Sequence, residues 1–473
     1  VEVGHKYIGA FAKQSGTWGR TPPVVLGASQ AFEFNSHSID SKIDLVMNNG
    51  LFGSPYRRKG SPGNIMPGGD FECDLYYRDD VVHAMLAQVF GLDSFTSLGG
   101  GANQHDLVMQ TGSQVGIFGT FVFPGTEGIL ELGSAKIVGC KLSWDGSKQR
   151  TTVSFSVEAH DINENVGSPV DNFVVVSVAA ANGALTITAG AQLDFGYTAA
   201  PSPLFTTIVP GITAITVTTH GIDRFGNYVT IVQSRAAGDF VSDVATSTVY
   251  LRKVLDSTIS GLTGSGNIKI GLTNGVNNNT TISALTTATD RDCQLFSQLR
   301  FLAGPEGGAA PLALAAANGS ADNDEFFLSK FDLDIKWSQD SRVTTQFGNR
   351  RDEMVLGGGG WPTVAATASF SAYTTNARRA LFAQRAKDGL RVQAILSGPP
   401  VPGSSPVVGQ SLNVFFNDFQ IATGDKKVSG PGVIPIDFAG EAHQAVSVPV
   451  GFPAGTDEPC MMRFVDGRSS AYI

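Results

Sequence analysis

Apolar and polar residues alternate along much of this chain with a period of two. In SKIDLVMNN, Ile43, Leu45 and Met47 alternate with Lys42, Asp44 and Asn48. In DFECDLYY, Phe71, Cys73, Leu75 and Tyr77 alternate with Glu72, Asp74 and Tyr76. Successive side chains on a strand point to opposite faces, so each stretch predicts a strand with one buried and one wet face. The loop between them carries Arg57, Arg58 and Lys59 and closes on Gly68 and Gly69. The period then changes. In DDVVHAMLAQVF, Val82, Met85, Leu86 and Val89 form one helical stripe, with Asp79 or Asp80 as the cap and Gly91 as the stop.

Alternation resumes in VGIFGTFVF and ILEL and is clearest in a long hairpin. There Val138, Cys140, Leu142 and Trp144 share a face with Val153, Phe155, Val157 and Ala159. Asp145 and Gly146 are the expected source of the positive φ in its turn. Near Gly167 the composition shifts. Residues 170–275 are poor in charge and rich in Val, Thr, Ala and Gly, with turn signals about every ten residues, which predicts a separate β-sandwich. Asn-rich 271–283 and the loose stretch 305–324 follow.

The opening pattern then returns. FDLDIKW alternates Phe331, Leu333, Ile335 and Trp337 with Asp332, Asp334 and Lys336. A loop with Arg350, Arg351 and a glycine run follows, then a strand, a capped helix in ARRALFAQRAKD, another strand and a second long hairpin. The same parts in the same order predict an internal duplication. The resulting division is an N-terminal arm at 1–40, a first copy at 41–165, an insertion at 170–275 and a second copy at 286–473. The arm reads equally as a plain surface segment or as an extension onto a neighbouring subunit. The fold class is mainly β, with one short helix in each copy.

Composition narrows the function. The chain has 473 residues, room for two to four domains of about 100–200 residues each. Its net charge of −9 does not favour binding DNA phosphates, although it permits a protein that DNA merely passes. Cys73, Cys140, Cys293 and Cys460 are widely spaced; Cys73 and Cys140 fall on apolar faces, as buried thiols do. A reducing compartment of assembly fits them. No apolar run approaches the ~20 residues of a membrane span, and the first residues lack a signal-peptide layout.

Candidate chemistry is sparse. No phosphate-loop, zincin or nucleophile-elbow motif occurs. Asp79, Asp80 and His83 read as a helix cap with a nearby histidine, and Asp322, Asn323, Asp324 and Glu325 lack the spacing of a calcium loop. The expectation is no enzyme and no cofactor.

Several stretches resemble tail tube proteins of long-tailed bacteriophages. AFAKQSGTWGRTPPV is similar to that family's small-residue start, and GGDFECDLY with DDVVHAMLAQVFG to its second hairpin strand and helix. ITVTTHGIDRFGNYVTIVQ, with NIKIGL, resembles the immunoglobulin-like modules found in phage tail proteins, and DEPCMMRFVDGRSSAYI the family's last strand and tail. The resemblance implies two tube-type β-sandwich or barrel domains with an immunoglobulin-like insertion. It implies homotrimeric, pseudo-hexameric rings stacked into a tube whose lumen conducts DNA. Its implied partners are the chain itself and tail terminator, tape measure and distal tail proteins, with no membrane. Its implied location is the virion tail, assembled in the host cytoplasm.

Two sets of residues follow as candidates. Asp44, Glu72, Asp74, Asp332 and Asp334 lie on the non-core faces of their strands and are expected to face the lumen, where like charge keeps DNA off the wall. Arg57, Arg58 and Lys59, with Arg350 and Arg351, are expected to reach the adjacent ring. An alternative from the same composition is a tail-associated carbohydrate- or receptor-binding β-protein. The aromatics of 170–275 (Phe173, Phe195, Tyr197, Phe205, Phe225 and Tyr228) are few for that role.

Overall fold

The computed structural model describes residues 8–19, 21, 23–46, 61–110, 114–124, 129–165, 173–179, 181–185, 202–206, 212–223, 227–235, 251–265, 267–272, 285, 291–313, 324–340, 350–353, 355–356, 362–370, 375–426, 436–453 and 457–473. Over these residues the chain is mainly β, with two α-helices, α1 (Asp80–Phe90) and α2 (Thr375–Ala386).

Local sequence explains the elements. Strand Gly68–Asp74 buries Phe71 and Cys73 and turns Asp70, Glu72 and Asp74 outward. Asp79 caps α1 by accepting hydrogen bonds from the amides of Val81 and Val82. Gly91 ends it at φ 88°, its amide donating to the Ala87 carbonyl. In the first long hairpin, Ile129–Asp145 with Thr151–Asn165, the turn departs from expectation. The positive φ falls on Gln149, at 62°, and Asp145 instead organises the turn by accepting from the amide and hydroxyl of Ser147.

One antiparallel sheet runs through both halves of the chain. Its order is 35–40, Gly68–Asp74, 151–158, 139–145, Leu328–Lys336, Thr363–Phe370, Ile436–His443 and 418–426. Segment 35–40 joins through the amides of Asn35, Ser38 and Asp40, which donate to the carbonyls of Glu72, Asp70 and Gly68. The halves meet where 139–145 pairs with 330–336, from Gly139 opposite Lys336 to Asp145 opposite Lys330.

The remaining strands reveal where the duplication begins. Gly9–Gln14 pairs with Ala31–Phe32 and with Phe118–Pro124, as Leu299–Pro305 pairs with Glu325–Phe326 and with Leu390–Pro400. Phe118–Pro124 joins the first part of Ile129–Asp145 as Leu390–Pro400 joins the first part of Gly409–Lys426. Between its first two strands of the shared sheet, each half projects a small hairpin: Ile43–Val46 with Ser61–Ile65, and Gln339–Asp340 with Val355–Leu356. Among the described residues of the two halves, the hairpin Gly91–Gly99 with Ala102–Met109 and the last strand Cys460–Asp466 lack counterparts. They pair with each other.

Two expectations change here. Residues 9–40 are not an arm but the first strands of the first repeat, and Trp18 is 1% exposed. Glycines here make room for aromatic rings: a Cβ on Gly9 would lie 2.6 Å from the Phe32 ring, and one on Gly119, in the neighbouring strand, would collide with the Phe11 ring. Also, Ile43–Val46 pairs with Ser61–Ile65, while segment 35–40 takes the place beside Gly68–Asp74. Alternation reports which face is buried and does not name the neighbouring strand.

Both repeats share one core. Trp144 stacks on Phe331 across the junction at 5.2 Å between ring centroids, and Phe331 contacts Phe301 at 5.2 Å. Phe11, Phe32, Phe71, Phe121, Phe123 and Phe155 pack in the first repeat. Cys73, Cys140 and Cys460 are buried thiols, their pKa values raised by burial. Between the repeats, the described residues within 173–272 form two further sheets. One orders Phe173–Ala179, Asn267–Leu272 and Ser202–Thr206; the other Gly183–Leu185, Leu251–Gly264, Ile212–Asp223 and Tyr228–Arg235.

Candidate assembly surface

The shared sheet has one apolar and one polar face, because its alternating strands are in matched register. Reading across, one polar row is Glu72, Ser154, Lys141, Asp334, Ala365, Glu441 and Gln420. The next is Asp74, Thr152, Ser143, Asp332, Thr367, Ala439 and Thr423. The structure therefore brings Glu72, Asp74, Asp332 and Asp334 onto one continuous face drawn from both repeats. Asp44 lies in Ile43–Val46, outside this face; its side chain is not among the described ones.

The face is acidic but not uniformly so. Arg150 pairs with Asp74 at 3.0 Å, Lys330 with Asp332 at 2.8 Å and Lys336 with Asp334 at 2.8 Å. Hydrogen bonds from Ser147 hold the Asp145 carboxyl below its usual range. Asp70, Glu72, Asp145, Asp437 and Glu441 make no ion pair among the described residues, so carboxylates outnumber cations. The lysines were absent from the sequence-derived set, although their period-two spacing with the acids places them on the same face.

Neither outer edge of this sheet has a strand neighbour among the described residues. Among the described residues the strand ladder of 35–40 runs only to Gly68–Asp74 and that of 420–426 only to Ile436–His443, while the Ala422 carbonyl accepts from Gln384 Nε2 and His37 Nε2 lies 3.2 Å from the Pro124 carbonyl. Open edges expose unpaired amides and carbonyls, which favour pairing with another chain.

Arg350 and Arg351 are corrected from the expectation of reaching another ring. They are 1% and 6% exposed and lie against the first repeat of their own chain. Arg350 pairs with buried Asp161, and Arg351 with Glu158. Burial draws the Arg350 pKa down to about 10, which leaves it charged at neutral pH. The Arg351 carbonyl accepts from Trp18 Nε1 at 3.2 Å and His160 Nδ1 at 2.7 Å, so the His160 proton sits on Nδ1. Nearby, Glu353 accepts from the Gly116 amide at 2.5 Å, and Lys136 Nζ lies 3.4 Å away while donating to the Gln114 carbonyl at 2.7 Å. This latch holds the second repeat's hairpin onto the first repeat. Sequence alone could not pair residues almost 200 positions apart. Arg57, Arg58 and Lys59 lie outside the described residues.

A second buried polar cluster fastens the chain's last residues to α1. Tyr472 Oη donates to Asp466 at 2.5 Å and lies 3.0 Å from His83 Nδ1, while His83 Nε2 donates to the Tyr76 carbonyl at 3.1 Å. His105 places Nδ1 3.2 Å from Asp93 and Nε2 3.2 Å from the Arg468 carbonyl. Burial opposes charge on His105, but the Asp93 hydrogen bond and the charges of Asp466 and Asp93 prevail and raise its pKa. Burial likewise opposes charge on Asp466, yet contact with His83, Tyr472 and the Arg468 amide lowers its pKa.

The two groups respond at opposite ends of the pH range. A raised histidine contributes fully below its unfolded pKa of about 6.5 and loses that contribution as pH rises through its folded value. A lowered aspartate contributes above about 3.9 and loses it as pH falls through its folded value. Urea unfolding against pH is expected to show stability declining above about pH 6.5, and His105→Gln is expected to remove that decline. An unchanged slope in the variant refutes a charged His105.

No protein-family model matches the chain, and no curated protein matches it either. A solved structure described as "Crystal structure of Hcp protein" is similar at 11% sequence identity and a TM-score of 0.20, covering 34% of this chain and 98% of that one. A similarity of that size carries no argument for function.

Proposed function

We propose that this chain is a structural protein that closes into rings and stacks into a phage tail tube, with the polar face of the shared sheet lining the lumen. One observation carries the reading: a single sheet built equally from two repeats, polar on one face and open at both edges. Head-to-tail joining of 420–426 on one copy to 35–40 on the next satisfies both edges. It also continues the pattern of the internal junction between 139–145 and 330–336. Closed cyclic assemblies use such heterologous contacts, and three copies supply the repeats of a six-fold ring.

The surplus of carboxylates on the face suits a conduit through which DNA slides without adhering. Ser143, Ser154, Thr152, Thr367 and Thr423 lie between the charges and keep the wall hydrated, with Ala365 and Ala439 as small gaps. The role is architectural, with no catalytic step. The sheets of 173–272 are an immunoglobulin-like module on the outside of the tube. Terminator, tape measure and distal tail proteins are its neighbours in the virion.

Electron microscopy of the purified protein tests this. Rings or tubes with a central hole are the expected result, and protein that stays monomeric at every concentration overturns the reading. A chain lacking 170–275 is expected to form the same rings. Loss of ring formation on that deletion shows that the insertion belongs to the wall.

A further inference from the structure

The junction inside the chain is a template for the joint between chains. The repeats align by counting back from their helices: Asp70 and Ala365 each lie ten residues before the first helical residue (80 − 70 and 375 − 365). Asp70 lies opposite Ser156, and Ser156 opposite Gly139. Ala365 lies opposite Glu441, and Glu441 opposite Gln420. On the other side, the Asp70 carbonyl accepts from the Ser38 amide, while Ala365 lies opposite Asp334. Gly139 therefore corresponds to Gln420, Ser38 to Asp334 and Asp40 to Lys336.

Across the internal junction Gly139 faces Lys336, Cys140 faces Ile335, Lys141 faces Asp334 and Leu142 faces Leu333. Carried to the two open edges, this register sets Gln420 against Asp40, Ile421 against Ile39, Thr423 against Ser38 and Gly424 against His37. Ala422 drops out because the ladder is shifted there, with Ile421 opposite Gly440 and Thr423 opposite Ala439. Its carbonyl accepts instead from Gln384 Nε2 at 3.4 Å.

The chemistry of the edges fits this alignment. The amides of Ser38 and Asp40 donate to Asp70 and Gly68, so by alternation those of His37 and Ile39 point to the open side. Their counterparts Leu333 and Ile335 share the parity of Trp337, whose amide donates to the Val138 carbonyl across the internal junction at 3.0 Å. Ile39 is buried in the core and Ile421 packs partly against it, so their meeting continues the apolar face. On the polar face Gln420, Thr423, Ser38 and Asp40 are exposed, and the alignment brings an amide to a carboxylate and a hydroxyl to a hydroxyl. Sliding the strands by two residues puts Asp40 opposite Asp418, and like charges directly opposite are destabilising.

We infer that Ile39 of one copy pairs with Ile421 of the next in an antiparallel ladder of this register. The contact rests on the ring reading above and adds to it the partner residues and their alignment. Within the first repeat the polar row of Ser38 passes through Asp70, Ser156 and Gly139 to Lys336, the counterpart of Asp40. The joint between copies gives the second repeat the same two-residue climb, so the wall continues unbroken from chain to chain.

Cysteine pairing tests the register. Asp40 and Gln420 form a pair without mutual backbone bonds, where opposing Cα atoms come within about 4.5 Å and a disulfide closes without backbone movement. Asp40→Cys with Gln420→Cys, in a Cys293→Ser background, is expected to assemble like wild type when reduced. On mild oxidation of the assembled protein it is expected to become covalent multimers, ending in a closed ring. Ser38→Cys with Gln420→Cys is expected to stay uncrosslinked. Faster crosslinking of that second pair means a shifted ladder and overturns the inference, as does a crosslink formed within one chain at high dilution. Rings seen by electron microscopy with no crosslink from the first pair remove this register and leave the ring reading standing. Wild-type protein that never forms rings removes both.

Discussion

Arg350→Met is expected to lower the stability of the isolated subunit by about 3–5 kcal/mol, because it leaves Asp161 buried without its cation. Asp161 keeps only the Ile162 amide at 3.0 Å, and its second oxygen has no hydrogen-bond partner among the described residues. Removing both members, as Arg350→Met with Asp161→Leu, is expected to cost much less than the single change, since no charge then remains desolvated. Urea denaturation of the two singles and the double closes the cycle. A single variant within about 0.5 kcal/mol of wild type means the guanidinium is hydrated, as an exposed surface charge is.

The second large effect belongs to Trp18→Ala, also about 3–5 kcal/mol. Trp18 meets Phe118 edge-on at 5.6 Å and His160 at 6.3 Å, and its Nε1 donates to the Arg351 carbonyl. The alanine variant loses the packing and leaves that carbonyl with one donor fewer. Trp18→Phe keeps most of the apolar contact and is expected to lose less. The measurement is made on the unassembled subunit, where an arm resting on a neighbour contributes nothing. If Trp18→Ala leaves subunit stability unchanged and impairs only assembly, the N-terminal strands belong to another chain.

The two effects are linked through one place, the Arg351 carbonyl. Trp18 and His160 come from the first repeat and bond the backbone of the second, while Arg350 and Arg351 carry the charge across. Together with Trp144 on Phe331, this makes the two repeats one body with a shared core. The copies expected at 41–165 and 286–473 therefore match in strand topology but do not have separate cores.

Much of the architecture was readable from local pattern. Alternation at 71–74 and 331–336 gave strands with the correct buried faces, and the Asp79–Asp80 pair and Gly91 marked the ends of α1, with the structure choosing Asp79 as the cap. The duplication was visible as an order of parts. Its start was not, because Gly9–Gln14 and Ala31–Phe32 are short and glycine-poised, and their burial depends on Phe118–Pro124 far along the chain. Among the candidate site residues, parity put Glu72 and Asp74, and Asp332 and Asp334, on the non-core faces of their own strands, and the strand pairing joined the two faces into one. That Lys330 and Lys336 neutralise two of them follows from the same parity, once cations are counted with anions.

Sequence by itself determined what depends on near neighbours: strand faces, helix caps, the polar parity of the shared sheet and the existence of a repeat. These are set by steric and solvation preferences acting within a few residues. Tertiary structure alone decided which strands adjoin, which sheet edges stay open, and whether a basic pair is a surface feature or a buried latch. A charge in a loop sequence looks the same whether it meets water or Asp161. Only the path of a distant strand, bringing a desolvated carboxylate within reach, makes the difference.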